Sequence, residues 1–179
     1  ADHVELYHCL EKALDMNAPV YIRLSGGIPS PVYLNDCELE LGKAHELRAG
    51  TDATIIAVGT MVSVALEAAS LLEAKGLSVG VADMWSLKPL DEDFVLKYAS
   101  SVSAIVTLEE HSVVNGLGSA VADVLAQHHS RARLTKLGLP DAYPPSVSPY
   151  PVMLEDYGLT AGQVAASVEK AIRSARESQ

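Results

Sequence analysis

Ala104-Ile-Val-Thr-Leu-Glu-Glu-His-Ser-Val-Val-Asn-Gly-Leu-Gly-Ser-Ala-Val121 is the stretch whose reading decides the fold. An apolar run, Ala104 to Leu108, stops at Glu109-Glu110-His111; a short loop and a Gly116-Leu-Gly118 pair follow, and a small-residue helix begins. A run without polar alternation reads as a strand covered on both faces. A strand that yields to a turn and then a helix is the repeating unit of an open α/β sheet. Two carboxylates and an imidazole therefore stand where a buried strand reaches the surface. In such sheets that end is where ligands and partners are met.

The same alternation runs outward from this stretch. Ala53 to Val58 is a continuous apolar strand, and Thr60 is placed to cap a helix whose Val62, Ala65, Leu66, Ala69 and Leu72 share one face; Gly76 closes it. Ser78 to Met84 is a second strand. Asp91 is placed to cap a short helix over 91–100. Residues 116–129 form the next helix, and Arg133 to Leu137 the fourth strand. Gly138 to Tyr150 holds Pro140, Pro144, Pro145 and Pro149, with Pro151 just beyond, and reads as a long stiff loop. Leu159 to Ala175 is a closing helix capped by Thr160. Strand–helix–strand units of this length cross over right-handedly and give parallel pairing. The expectation is an α/β three-layer sandwich of about four parallel strands, near 53–58, 78–83, 104–108 and 133–137. Residues 44–48 are expected to add an antiparallel edge strand.

The beginning of the chain does not fit this pattern. Residues 2–16 read as a helix with Val4, Tyr7, Leu10, Ala13 and Leu14 on one face and Asp2 as its cap. Val20-Tyr-Ile-Arg-Leu24 reads as a short strand with no neighbour to pair with before residue 38. Residues 1–27 are therefore read as the last piece of a preceding domain. Residues 28–50 are read as a linker and edge strand, and 51–179 as the main α/β domain.

Composition narrows the function classes. The 179 residues are 49% hydrophobic and 20% charged, enough to bury a core, and the formal net charge is −10. No basic stripe exists to displace counterions from a phosphate backbone, so nucleic acid is not an expected partner. No apolar run reaches membrane-spanning length, and Ala1-Asp-His-Val-Glu5 does not read as a signal peptide. Cys9 and Cys37 have no metal-ligand spacing, and two thiols make a poor disulfide framework. A reduced, cytoplasmic protein is the expectation.

Glu109-Glu110-His111 fits three readings: acid/base machinery, a binding epitope, or a structural corner. Successive residues at a strand end point in different directions, which weighs against all three meeting one substrate atom. A carboxylate inserted under neighbouring backbone amides is the structural alternative, and structure or interface outweighs direct chemistry. Gly116 and Gly118 lack the third glycine of a dinucleotide fingerprint, where Val121 stands, and close packing of a helix start explains small residues equally well. Arg23, beside a Ser-Gly-Gly turn, suits an anion site or a boundary contact. His3, His8, His45, His128 and His129 show no metal spacing, and the last two suit a helix C-terminus.

Several segments in order resemble the C-terminal domain of transketolase-type enzymes. Besides Thr107-Leu-Glu-Glu-His111 with Gly116-Leu-Gly-Ser-Ala-Val121, they are Gly50-Thr-Asp-Ala-Thr-Ile-Ile-Ala-Val-Gly-Thr-Met-Val62, Ala82-Asp-Met-Trp-Ser-Leu-Lys-Pro-Leu-Asp91 and Tyr157-Gly-Leu-Thr-Ala161. The likeness is greatest to the C-terminal subunit of split transketolases, with 1-deoxyxylulose-5-phosphate synthase and the β subunits of 2-oxoacid dehydrogenases as relatives. The resemblance implies a transketolase C-terminal domain-like fold in a transferase moving two-carbon ketol units between sugars. It implies thiamine diphosphate and a divalent ion (Mg2+ or Ca2+) bound mainly by two domains absent here. It assigns this part of the enzyme to assembly and dimerisation, as a homodimer or with an N-terminal transketolase subunit or domains. A non-catalytic docking module is the reading from another class. No catalytic, cofactor or metal residue is expected in this chain, which is expected to be inactive alone. Glu109, Glu110 and His111 remain the catalytic candidates. Together with Asn115, Gly116 and Gly118 they form the expected interface loop, and Arg23 is the candidate for a substrate or anion. Asn115 stands for the first glycine of the resembled Gly-Gly-Leu-Gly, and Gly26 stands where relatives carry a phosphate-binding arginine. The resemblance therefore leaves a phosphorylated sugar unsupported.

Overall fold

The computed structural model describes residues 1–25, 30–33, 37–130, 132–144 and 147–177. Gly26 lies outside them, as does most of the Gly/Pro-rich linker. The described elements are α1 (His3–Asp15), β1 (His45–Arg48), β2 (Ala53–Ala57), α2 (Met61–Glu73), β3 (Val79–Asp83), α3 (Glu92–Ala99), β4 (Ala104–Ser112), α4 (Leu117–Gln127), β5 (Arg133–Leu139), α5 (Tyr150–Asp156) and α6 (Ala161–Arg176).

One sheet of five strands runs in the order β1-β3-β2-β4-β5. β2, β3, β4 and β5 pair in parallel, and β1 adds to β3 antiparallel. β2 and β3 are buried at every position, as strands covered on both faces must be. On one face Ile55, Val81, Val106 and Leu108 pack with Val62, Ala65, Ala69 and Leu72 of α2 and Val164, Val168 and Ile172 of α6. On the other, Ile56, Ala82 and Ile105 pack with Phe94, Val95 and Tyr98 of α3 and Leu117, Val121 and Leu125 of α4. This is the three-layer arrangement expected from the alternation.

Local signals are used as read in several places. Asp2 accepts from the amides of Val4 and Glu5, and Asp91 accepts from Phe94 N at 3.0 Å. Gly76 closes α2 with φ +79°, and Gln163 accepts from the Thr160 backbone amide at the start of α6.

Four expectations are corrected. Val20–Leu24 is not a strand among the described residues, because the sheet's edges are elsewhere and nothing pairs with it. Thr60 makes no capping bond to α2; its hydroxyl turns to Glu110 instead. β4 does not end at Leu108 but runs to Ser112, with a register irregularity after Leu108, and carries β5 on to Leu139 through the Ser112–Leu139 pairing. The loop expected from Gly138 to Tyr150 is shorter at both ends, since β5 runs on to Leu139 and α5 begins at Tyr150 with Pro151 in its first turn.

Candidate functional site

From β2 the chain crosses to β3 on one side, and from β3 it passes over β2 to β4 on the other. The carboxyl ends of β2 and β4 are therefore the topological switch point, where an open α/β sheet leaves a crevice. Val58-Gly59-Thr60 leaves β2 there, and Glu109-Glu110-His111 extends β4 beside it.

Successive strand residues point to opposite faces, and the two glutamates part accordingly. Glu109 is 1% exposed. Its Oε2 accepts from Leu117 N at 2.7 Å and its Oε1 from Gly118 N at 2.8 Å. These are among the unpaired amides that begin a helix, and a carboxylate there also meets the positive end of the α4 dipole. Both oxygens are thus engaged by protein. Gly116 has no room for a side chain, since a Cβ there would stand 1.9 Å from Glu109 Oε2.

Glu110 faces the crevice and is half-buried. Its Oε2 accepts from Thr60 Oγ1 at 2.6 Å, from the Tyr150 hydroxyl at 2.9 Å and from Ser25 Oγ at 3.3 Å. Its backbone carbonyl accepts from Arg23 Nη2 at 2.9 Å. Burial, then the Glu110 carboxylate, push the Tyr150 hydroxyl up, with the Thr60 hydrogen bond opposing them. Chain from residues 23–25, from α5 and from the β2–α2 turn thereby converges on one glutamate.

The remaining candidates take other places. His111 is exposed; its Nδ1 lies 3.0 Å from the Ser112 carbonyl oxygen and 3.9 Å from Glu109 Oε2. Asn115 adopts φ +60°, a left-handed conformation that glycine or asparagine accepts readily, and its amide donates to Ser119 Oγ. A Cβ on Gly118 would stand 2.6 Å from Lys136 Cδ and 2.8 Å from Thr107 Oγ1. Gly116 and Gly118 both admit protein atoms. Arg23 is exposed, with its guanidinium on a carbonyl oxygen rather than a carboxylate.

Sequence reasoning missed Thr60, Tyr150 and Ser25 as partners of Glu110. Thr60 was discoverable, because a strand order reversing at β2 puts its turn beside the end of β4. Tyr150 has no such signal; only the fold brings it 40 residues back along the chain.

Residues 42–164 match the family model described as the C-terminal domain of transketolase. The chain belongs to the transketolase C-terminal domain family. This transketolase C-terminal domain superposes on a split-gene transketolase, described as an inactive β4 tetramer, with a TM-score of 0.90 and 42% identity over 97% of this chain and 56% of that one. It is 40% identical to the 1-deoxy-D-xylulose-5-phosphate synthase of Heliobacterium modesticaldum over 92% of this chain and 26% of the relative. It is 33% identical to a putative transketolase C-terminal section of Methanocaldococcus jannaschii over 92% of this chain and 51% of the relative. The chain thus spans about a quarter of the synthase and about half of the split-type relatives. No helix among the described residues is long and apolar enough to cross a membrane.

Proposed function

We propose that this chain is the C-terminal portion of a thiamine diphosphate-dependent transketolase that moves two-carbon ketol units between sugars, and that the chain itself serves assembly. The observation that carries this reading is the filled switch point. Where an open α/β sheet offers a ligand crevice, Glu110 instead receives Ser25, Thr60 and Tyr150. The end of the sheet is used to hold chain, in keeping with a domain that joins others. The likeness to a split-gene transketolase over nearly the whole chain supports the same reading.

Among the described residues no three His, Cys, Asp or Glu side chains converge as ligands for a divalent ion. Both oxygens of Glu109 are committed to the start of α4. Residues 1–27 are read as the remnant of a preceding pyrimidine-binding-type domain, a reading supported by the exposure of Tyr7, Leu10, Leu14, Tyr21 and Leu24. A run of large apolar side chains in water is what a covering surface would bury. The expected partners are an N-terminal transketolase subunit or domains and a second copy, burying on the order of 1,200–2,000 Å².

The second reading is a 1-deoxy-D-xylulose-5-phosphate synthase, favoured by the 40% identity to one over 168 residues. Reconstitution with the N-terminal partner separates the two. Ketol transfer between sugars in the reconstituted mixture, with no calorimetric thiamine diphosphate binding by this chain alone, is the expected result. Formation of 1-deoxy-D-xylulose 5-phosphate in place of ketol transfer moves the assignment to the second reading. Turnover by this chain alone sinks the assembly role.

A further inference from the structure

Residues 1–25 are fastened to the main domain at both ends, and no side chain from residue 3 to residue 25 is buried between them. At the near end Asp2, which is buried, serves two segments at once. Its Oδ1 accepts from the amides of Val4 and Glu5 at the start of α1, at 3.0 and 3.2 Å. Its Oδ2 accepts from the amides of Val32 and Tyr33, at 2.8 and 2.9 Å. The buried Tyr33 carries the contact on, donating its hydroxyl at 2.8 Å to Oδ2 of Asp83, the last residue of β3. At the far end Arg23 Nη2 donates to the Glu110 carbonyl at 2.9 Å and Ser25 Oγ to Glu110 Oε2 at 3.3 Å.

The two clasps stand on either side of the switch point. In the strand order β3-β2-β4 the first lies at the carboxyl end of β3 and the second on the extension of β4, with β2 and its Val58-Gly59-Thr60 turn between them. What holds the segment differs from what holds the other helices. α2 and α6 each bury an apolar face, whereas α1 buries none, and its Leu10 and Leu14 are exposed. A segment without a buried face depends on its polar contacts. Such elements open locally, at a free energy well below that of the whole fold.

We propose that residues 1–25 form a strap across the switch point, closed by Asp2 at one end and by Glu110 at the other, and that the strap opens as one unit while the sheet stays folded. Asp2 is the positioning residue: one carboxylate both begins α1 and ties it to Val32 and Tyr33, so the helix and its anchorage are lost together. Opening also withdraws Arg23 and Ser25 from Glu110, which then keeps only Thr60 and Tyr150.

The test uses the full chain and Asp2→Ser. Serine caps a helix as well as aspartate does, but its single oxygen cannot also hold the amides of Val32 and Tyr33. A hydrogen bond to a charged group is worth roughly ten- to a hundredfold in an equilibrium. Hydrogen exchange of His3–Asp15 is therefore expected to accelerate by at least about tenfold in Asp2→Ser, while Ala53–Ala57 and Ala104–Leu108 stay level. Cleavage by trypsin after Arg23, which follows the population of the open form, is expected to rise with it, although Arg23 has no contact with Asp2. Wild type supplies a measurement that no variant can spoil. Under increasing urea below the unfolding transition, the amides of α1 should share one opening that precedes that of β2 and β4. Unchanged α1 exchange in Asp2→Ser overturns the proposal. So does faster α1 exchange with unchanged cleavage after Arg23, which would mean two independent contacts. Equal acceleration of β2 and β4, or wild-type α1 amides that exchange only when β2 and β4 do, would make the segment part of the global fold and equally end the proposal.

Discussion

The missing side chain of Gly116 is the space that Glu109 occupies: a Cβ there would stand 1.9 Å from Oε2, the atom that receives the Leu117 amide at 2.7 Å. Gly138 closes the other side, where a Cβ would lie 3.0 Å from Glu109 Cγ. The carboxylate, the start of α4 and the end of β5 thus fit together only with glycine at both places.

Gly116→Ala is expected to destabilise the chain by about 1–3 kcal/mol, the usual cost of forcing atoms into a packed site. Urea unfolding should show a lower midpoint at unchanged slope. An alanine variant as stable as wild type would mean that the Glu109 carboxylate is free to move aside.

Glu110 is expected to act as a shared acceptor for Thr60 and Tyr150. Thr60→Val and Tyr150→Phe each remove one donor to the same oxygen. Residues in one hydrogen-bond network couple by about 0.5–3 kcal/mol, so the double-mutant cycle measured by urea unfolding should not sum to zero. Glu110→Ala should also raise the rate of tryptic cleavage after Arg23, because Ser25 loses its acceptor.

Cys9 is expected to resist alkylation. Burial, followed by the Glu5 charge, pushes its thiol from an ordinary 9.0 up to about 11. The thiolate is the nucleophile, so a rise of two pH units lowers its population at pH 8 by on the order of a hundredfold. Iodoacetamide labelling at pH 8, read by mass spectrometry against the unfolded chain, checks this. Labelling at the unfolded rate would contradict it.

Asp2 is expected to stabilise the chain above the acid range and to lose that contribution on acidification. Burial raises its carboxyl, but hydrogen bonds from the amides of Tyr33, Val32, Glu5 and Val4 outweigh it, and the net direction is down from 3.8. A carboxyl depressed in the fold contributes fully above its unfolded value, and the contribution disappears as pH falls through the folded one. Asp2→Ala removes a helix cap, a loss of about 0.5–2 kcal/mol. The deficit, measured by urea unfolding, should shrink between pH 5 and about pH 2.

The sheet was legible because β2, β3 and the first half of β4 are nearly unbroken apolar runs, and a chain has one way to bury both faces of such a strand. The caps at Asp2 and Asp91 were legible for a similar reason, since their partners lie two or three residues away. Thr60 misled because the same local signal was outbid by a carboxylate 50 residues distant. The strand expected at Val20–Leu24 misled because β propensity says nothing about whether an edge is at hand to pair with.

By itself, then, the sequence determined the alternating elements and the parallel sheet. Local periodicity and short-range hydrogen bonding set these, and both are written in neighbouring residues. Only the tertiary structure decided what the two adjacent glutamates do. β4 continues past Leu108, so Glu109 turns under the amides of α4 while Glu110 turns to Thr60, Tyr150 and Ser25. Which way each carboxylate points depends on the register of β4 against β5 and on chain arriving from residues 25, 60 and 150, and that convergence exists only once the sheet has closed.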